Sequence, residues 1–212
     1  SISPNIGSNA GGTTVTITGT NLSGTSTIQI GSNATSVTVV DSTTVTAVTS
    51  SIGAAGAVNV ILTKTGGDSV TLNSGFTYVV PITATSATLT GTAGVGNNLS
   101  LYSYSVSGTS PVLTYQWQKS NTSGGTFIDI PGATSSPFTI TNDLAGKYLR
   151  LKLTATNSLN SASVYSAETS RVTKSSYVDL VPGVYSGSGT TFNSVGGSTS
   201  SSFTLVNGPT YV

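Results

Sequence analysis

The 212-residue chain contains no cysteine, no histidine and no methionine. Without cysteine it can form neither disulfide bonds nor thiolate metal sites. Without histidine it lacks the side chain that serves most often as a general base and as a transition-metal ligand. No hydrophobic run approaches the roughly 20 residues that a membrane-spanning helix needs. We therefore expect that the protein is not an enzyme, that it binds no cofactor or metal, and that it does not insert into a membrane.

Charge is also scarce. Only 6% of the residues are charged, against about 25% in typical globular domains, and the net charge is +1. Such a chain attracts polyanions weakly, which argues against nucleic acid as a partner. The surface must be formed by Ser, Thr, Asn and Gly, a composition that suits a protein packed beside copies of itself or one exposed to changing salt.

The few residues able to do chemistry are dispersed. Glycoside hydrolysis needs two carboxylates that face each other across a cleft, and calcium needs several clustered oxygen ligands. The glycine-rich Thr92–Asn98 segment lacks the lysine and helix of a phosphate-binding loop. No serine stands in a motif with a lysine base. The acidic residues are isolated from one another along the chain: Asp41, Asp68, Asp129, Asp143, Glu168 and Asp179.

What the chain does contain is alternation. Val15 and Ile17 alternate with threonines, Val58 and Val60 share a face with Leu62, and turn residues recur every 8 to 12 positions or so. Alternating β-branched residues between such turns predict antiparallel strands in sandwiches. We therefore predict an all-β protein, with one helical turn near Asp143–Ala145.

Residues 1–80 resemble the IPT/TIG family of immunoglobulin-like (Ig-like) sandwiches. The resemblance is carried by "ISPNIGSNAGGTTVTITGTNL", "IQIGSNATSVTVVDSTTVTAVTS" and "AGAVNVILTKTGGDSVTLNSGFTYV". Pro4 is expected to end the first strand. Gly11 and Gly12 are expected to reverse the chain at positive φ, and Gly19 to allow a bend where a strand leaves the sheet.

Pro81 marks the predicted boundary of a second sandwich, residues 81–174. "TYQWQKS", "IPGATSSPFTIT" and "NDLAGKYLRLKLTATNS" resemble the Ig-like repeats of bacterial surface proteins. The resemblance implies that Trp117 is the core tryptophan. It also implies that Leu149, Leu151 and Leu153 face inward, and that Tyr148 forms a tyrosine corner, its hydroxyl bonded to backbone.

Residues 175–212 are predicted to form a β-rich tail, too short for an independent core. This tail therefore lies on the second sandwich, belongs to a partial third domain, or adds strands to a neighbour. Joining the two ends of the chain gives "GPTYV-SISPNIGS", which reads as an unbroken domain opening. We therefore predict that the tail end continues the first strand of a following domain, in the next repeat or in the next subunit. The predicted assembly interface comprises Ser1, Ile2, Ser3, Pro4, Gly208, Pro209, Thr210, Tyr211 and Val212.

The leading functional hypothesis is a structural module of an extracellular assembly, such as a bacterial surface filament, surface layer or stalk. Its partners would be copies of itself or flanking repeats of a longer chain. A virion decoration or tail-fibre protein is a related alternative.

A carbohydrate-binding or adhesin module is the alternative from another class, with glycans as partners and exposed tyrosines as its contacts. Tyr102 and Tyr115 are interpreted as strand and core residues. For the tail tyrosines, core filling and binding both stay open: Tyr177, Tyr185 and Tyr211.

Overall fold

The computed structural model describes residues 1–174, and these residues form an all-β structure, as predicted. The first group of strands comprises β1 (Ile2–Ser3), β2 (Ile6–Ser8), β3 (Thr14–Thr18), β4 (Thr25–Ile30), β5 (Ser32–Asn33), β6 (Thr35–Val39), β7 (Thr44–Val48), β8 (Gly56–Lys64) and β9 (Ser69–Val79). The second comprises β10 (Thr83–Thr90), β11 (Asn98–Ser107), β12 (Val112–Ser120), β13 (Ile128–Asp129), β14 (Phe138–Thr139), β15 (Tyr148–Thr156) and β16 (Ser161–Tyr165), with a 3-10 turn at Asn142–Leu144.

Strands β1 to β9 form two sheets, in the orders β1-β3-β7-β6 and β2-β9-β8-β4-β5. Their facing sides enclose one hydrophobic core, because inward and outward residues alternate along each strand. In β3, Val15 is fully buried while Thr14 and Thr18 are exposed. Phe76 and Tyr78 on β9 close the same core with an edge-to-face ring contact 5.0 Å between centroids.

The chain opening contributes to both of these sheets. β1 pairs antiparallel with β3, whereas β2 pairs parallel with β9, with Gly7 opposite Tyr78. The backbone crosses from one sheet to the other at Pro4–Asn5, between the two strands. Eight residues therefore connect the edges of both layers of the sandwich.

Strands β10 to β16 form two further sheets, in the orders β10-β11-β14 and β13-β12-β15-β16. Trp117 on β12 lies opposite Leu151 on β15, and both are fully buried in the second core. Within residues 1–174 no strand of the first pair of sheets pairs with a strand of the second pair. The predicted division between residues 80 and 81 stays an interpretation.

The segment between β9 and β10 is bonded to the second group of strands. The Asn160 side chain accepts from the amide of Ile82 at 2.7 Å and donates to its carbonyl at 3.0 Å. The Asn157 side chain donates to the carbonyl of Val80, and the Thr109 hydroxyl accepts from the Val80 amide. Side chains from two loops therefore hold the connecting backbone in one conformation.

Candidate assembly edge

The β1 strand lies at the edge of its sheet. The α-ammonium group of Ser1 donates to the carbonyl of Thr18 at 2.7 Å, and the Thr18 amide donates back to the Ser1 carbonyl at 2.9 Å. Their hydroxyl oxygens lie 2.6 Å apart. These two residues therefore form a hydrogen-bonded pair of an antiparallel ladder, in which such pairs occur at every second residue.

If the ladder continued past the end of β3 at Thr18, its next hydrogen-bonded position would be Thr20. The Gly19 amide donates to Thr43 and the Leu22 amide to Ser42, so these two groups face the β7 side. Thr20 lies between them, past the end of β3 at Thr18 and next to the left-handed Asn21. Within residues 1–174 neither its amide nor its carbonyl has a hydrogen-bond partner.

A groove of about 260 Å³ opens beside Thr20. Its apolar lining is contributed by Leu22 and Leu62, both buried, and by Val70, which is 60% exposed on β9. The charged residues Lys64 and Asp68 also line it. Val70 is paired with Leu62 and therefore shares its inward face, yet within residues 1–174 nothing covers it. The groove thus combines an unused backbone donor and acceptor with exposed apolar surface.

The other residues that were predicted to shape this end of the fold lie in its turns. Gly11 and Gly12 have φ values of 81° and 82°, in the region that favours glycine. Pro4 lies between β1 and β2. Gly19 follows β3, but the left-handed residue of the bend is Asn21, with φ 56°. A Cβ on Gly19 would meet Leu22 at an ordinary 3.5 Å, so a residue with a side chain fits there.

Trp117 and Tyr148, the two structural residues predicted in the second group of strands, differ in burial and in hydrogen bonding. The Trp117 indole is buried, donates to the carbonyl of Ser135 at 2.9 Å and stacks on Phe138 with ring centroids 5.1 Å apart. Tyr148 starts β15 opposite Ser120 and is only half-buried. Its hydroxyl has no hydrogen-bond partner in residues 1–174, so the predicted tyrosine corner is not formed there.

Tyr102 differs from its interpretation as a strand and core residue. The pairing of β10 with β11 shifts register between Thr88 and Leu89, which leaves Tyr102 unpaired in a bulge and 76% exposed. Tyr104, two residues on, is 51% exposed. Tyr115, by contrast, packs against the second core.

The described residues show no arrangement of catalytic or metal-ligating groups. Within residues 1–174 no three His, Cys, Asp or Glu side chains lie close enough to hold a metal ion. A groove of about 310 Å³ between β10 and Ala167–Ser170 contains Glu168 as its ionisable side chain. None of the helical structure in the described part has the length or hydrophobicity of a membrane-spanning helix. The predicted tail and its Gly208–Val212 end lie outside the described residues.

Comparisons with known proteins agree with this architecture. Residues 1–78 match the IPT/TIG domain family. The match covers the strands that carry the β1 edge and its groove. IPT/TIG and Ig-like families are families of non-catalytic domains. No curated protein matches the chain.

One solved structure extends an Ig-like likeness beyond residues 1–78. Titin domains A168–A170 are 16% identical at a TM-score of 0.50, over 80% of this chain and 61% of the titin chain. This likeness shows an Ig-like fold and nothing further. A Bacteroides ovatus mixed-linkage glucan utilization locus protein, SGBP-B, solved with a mixed-linkage heptasaccharide, is 17% identical over 77% of this chain and 44% of that one, at a TM-score of 0.28. The chain therefore spans less than two thirds of either structure.

Proposed function

We propose that this protein is a structural module of an extracellular assembly, at a cell surface or on a virion. Copies would join head to tail, with Gly208–Val212 of one copy extending β1 of the next. The observation that supports this most directly is the unpaired Thr20 backbone beside an open apolar groove. A head-to-tail contact propagates a filament when the rotation between copies does not close a ring.

The sequence of the tail end, Gly208–Val212, suits the register in which β1 pairs with β3. Ile2 packs against the core, and strand residues alternate between the two faces. In the joined sequence Val212 directly precedes Ser1, so it would face inward toward Val70. Tyr211 would then lie opposite Thr20 and exchange both backbone hydrogen bonds with it.

A chain with two copies joined from Val212 to Ser1 tests this register. We expect the IPT/TIG domain of the second copy to unfold at higher denaturant concentration than the same domain in a single copy. Val70→Asp in the second copy should abolish that gain, because it puts a charge in place of the apolar side chain that Val212 would contact. Val40→Asp is the matched control, since Val40 is 59% exposed and does not line the groove.

Equal stability of the two IPT/TIG domains in the joined chain would contradict the proposal. The single-copy protein tests contact between separate chains. We expect it to sediment as oligomers at high concentration, and Val70→Asp to return it to the monomer. Electron microscopy of native material should show fibres or sheets, whereas monomers alone would favour the adhesin hypothesis.

The exposed tyrosines on β11 support the second candidate, a carbohydrate-binding module. Aromatic rings stack on sugars when they stand free of the core, and Tyr102 is the most exposed large hydrophobic residue described. A glycan array would reveal neutral sugar ligands, and Tyr102→Ala would remove their binding. Tyr115→Phe is the control, since Tyr115 packs against the second core.

A further inference from the structure

The outer face of the β13-β12-β15-β16 sheet carries an arginine held by its neighbours. The Cζ atom of Arg150 lies 4.2 Å from the ring centre of Phe127 and 4.1 Å from that of Tyr165. Its Nε donates to the Gln118 side chain at 2.8 Å, and the Gln118 amide donates to Asp129 at 2.7 Å. Two rings and a hydrogen-bond relay therefore fix the guanidinium in one orientation.

The terminal nitrogens of this guanidinium are unused. Within residues 1–174 neither makes a hydrogen bond, although a guanidinium carries five donors. The neighbouring carboxylates are bonded elsewhere, because Asp129 accepts from Gln118 and Glu168 accepts from the Ser123 hydroxyl and the Gly124 amide. A fixed guanidinium with free terminal donors matches the two oxygens of a planar carboxylate.

The residues around Arg150 further restrict the chemical class of ligand that this face can bind. Lys152 lies two residues along β15 on the same face and is paired with Tyr165, which is 45% exposed. Beyond Lys152 the face carries hydroxyl groups, including those of Thr154 and Ser163, whose oxygens lie 2.8 Å apart. Two cations, a half-exposed aromatic ring and a row of hydroxyls suit a sugar chain that bears carboxylates.

We propose that this face binds an acidic polysaccharide, with Arg150 holding the carboxylate of a uronic acid and Lys152 that of a neighbouring sugar. Tyr165 contributes its ring beside the sugar. The proposal is independent of the assembly edge, which lies on the IPT/TIG residues.

Calorimetry with tetragalacturonate, and with its methyl ester as matched ligand, tests the assignment. We expect the acid to bind and the ester, which lacks the charges, to bind at least about tenfold more weakly. Arg150→Gln and Arg150→Lys should each weaken binding of the acid by about tenfold or more, because lysine keeps the charge but not the planar donor pair. Lys64→Gln, which removes a cation on β8, should leave binding unchanged.

Thermal unfolding of each variant shows whether it is folded, and Lys152→Gln gives a second variant if Arg150 substitutions unfold the protein. Absence of binding at millimolar tetragalacturonate would overturn the proposal. Equal binding of the acid and the ester would also overturn it, as would equal binding of a tetraglutamate peptide, which carries carboxylates without sugar rings.

Discussion

The hydroxyl group of Tyr78 lies 2.9 Å from the carbonyl oxygen of Ile30, 48 positions earlier in the chain. The same hydroxyl lies 3.1 Å from the carbonyl of Ser50, so one donor serves one buried and one half-buried acceptor. Replacing Tyr78 by Phe removes this donor without changing the ring. We expect the free energy of unfolding to fall by about 1 to 3 kcal/mol, the cost of leaving buried polar groups unpaired. Chemical denaturation measures it, and Tyr104→Phe at an exposed ring should change stability by less than about 0.5 kcal/mol.

Burial of the Tyr78 hydroxyl should also make the folded protein less stable at alkaline pH. Burial raises the pKa of this hydroxyl above the ordinary value of 10.0. The folded state therefore favours the neutral phenol, and this contribution is complete below pH 10 and is lost as the pH rises through the folded-state pKa. Denaturation curves between pH 9 and about 12 should show a smaller alkaline decline for Tyr78→Phe than for the native chain. Identical declines would contradict the assignment.

Gly11 and Gly12 provide a matched pair at nearly equal φ. A Cβ on Gly12 meets nothing within 4 Å, whereas one on Gly11 would lie 2.7 Å from the carbonyl carbon of Ser50. Gly12→Ala should therefore show only the left-handed backbone cost, about 1 to 2 kcal/mol. Gly11→Ala adds a collision with backbone and should be more destabilising. Urea unfolding compares the two, and a smaller effect at Gly11 would refute the predicted order.

Asn160 should govern the order of the segment between β9 and β10. Its side chain satisfies both backbone groups of Ile82, so Asn160→Ala leaves two partly buried groups unpaired. We expect a destabilisation of about 1 to 3 kcal/mol in the second group of strands. Nuclear magnetic resonance relaxation should detect faster motion of Val80–Ile82. Asn121→Ala, which removes an exposed bond to Lys147, is the control and should leave that motion unchanged.

The contact between the Glu168 carboxylate and the Ser123–Gly124 loop should be lost in acid. The Ser123 hydroxyl, then the Gly124 amide and the charge of Arg150, lower the pKa of the Glu168 carboxyl below the ordinary 4.5. The depressed folded-state pKa means that this contact contributes above pH 4.5 and is lost as the pH falls through the folded value. Carboxyl carbon resonances followed from pH 6 to about 2 should place the Glu168 midpoint below 4.5. Ser123→Ala should move that midpoint upward, and an unchanged midpoint would contradict the stated cause.

Alternation along the strands was enough to predict the all-β class, because burial follows the period of two wherever pairing is regular. For this reason the sequence predicts which strand faces point inward, both the faces that carry Trp117 and Leu151 and the face that carries Val15 and Ile17. Tyr102 was placed wrongly because a bulge shifts the register of β11, and no local pattern marks a bulge.

The hydrogen bonds that the structure forms between distant residues were not predicted from the sequence. Tyr78 and Tyr148 both lie in alternating strands, and only the position of a carbonyl on another strand decides which hydroxyl is bonded. The bonds of Asn160 to Ile82 join residues 78 positions apart. The groove beside Thr20 is lined by residues that follow β3 and by residues of β8 and β9. Its shape depends on how these segments pack, and the sequence of any one of them does not specify that packing.

The parallel pairing of β2 with β9 has a mechanical consequence. Tension applied to a tethered domain would pull β2 from its amino end and β9 from its carboxyl end, in opposite directions along one shared ladder. Bonds from Thr77 to Asn5 and from Asn9 to Val79 lie across that line of force and would be loaded together rather than one after another. The opening of the chain would then act as a shear clamp, and the short β1 strand ahead of it would detach first.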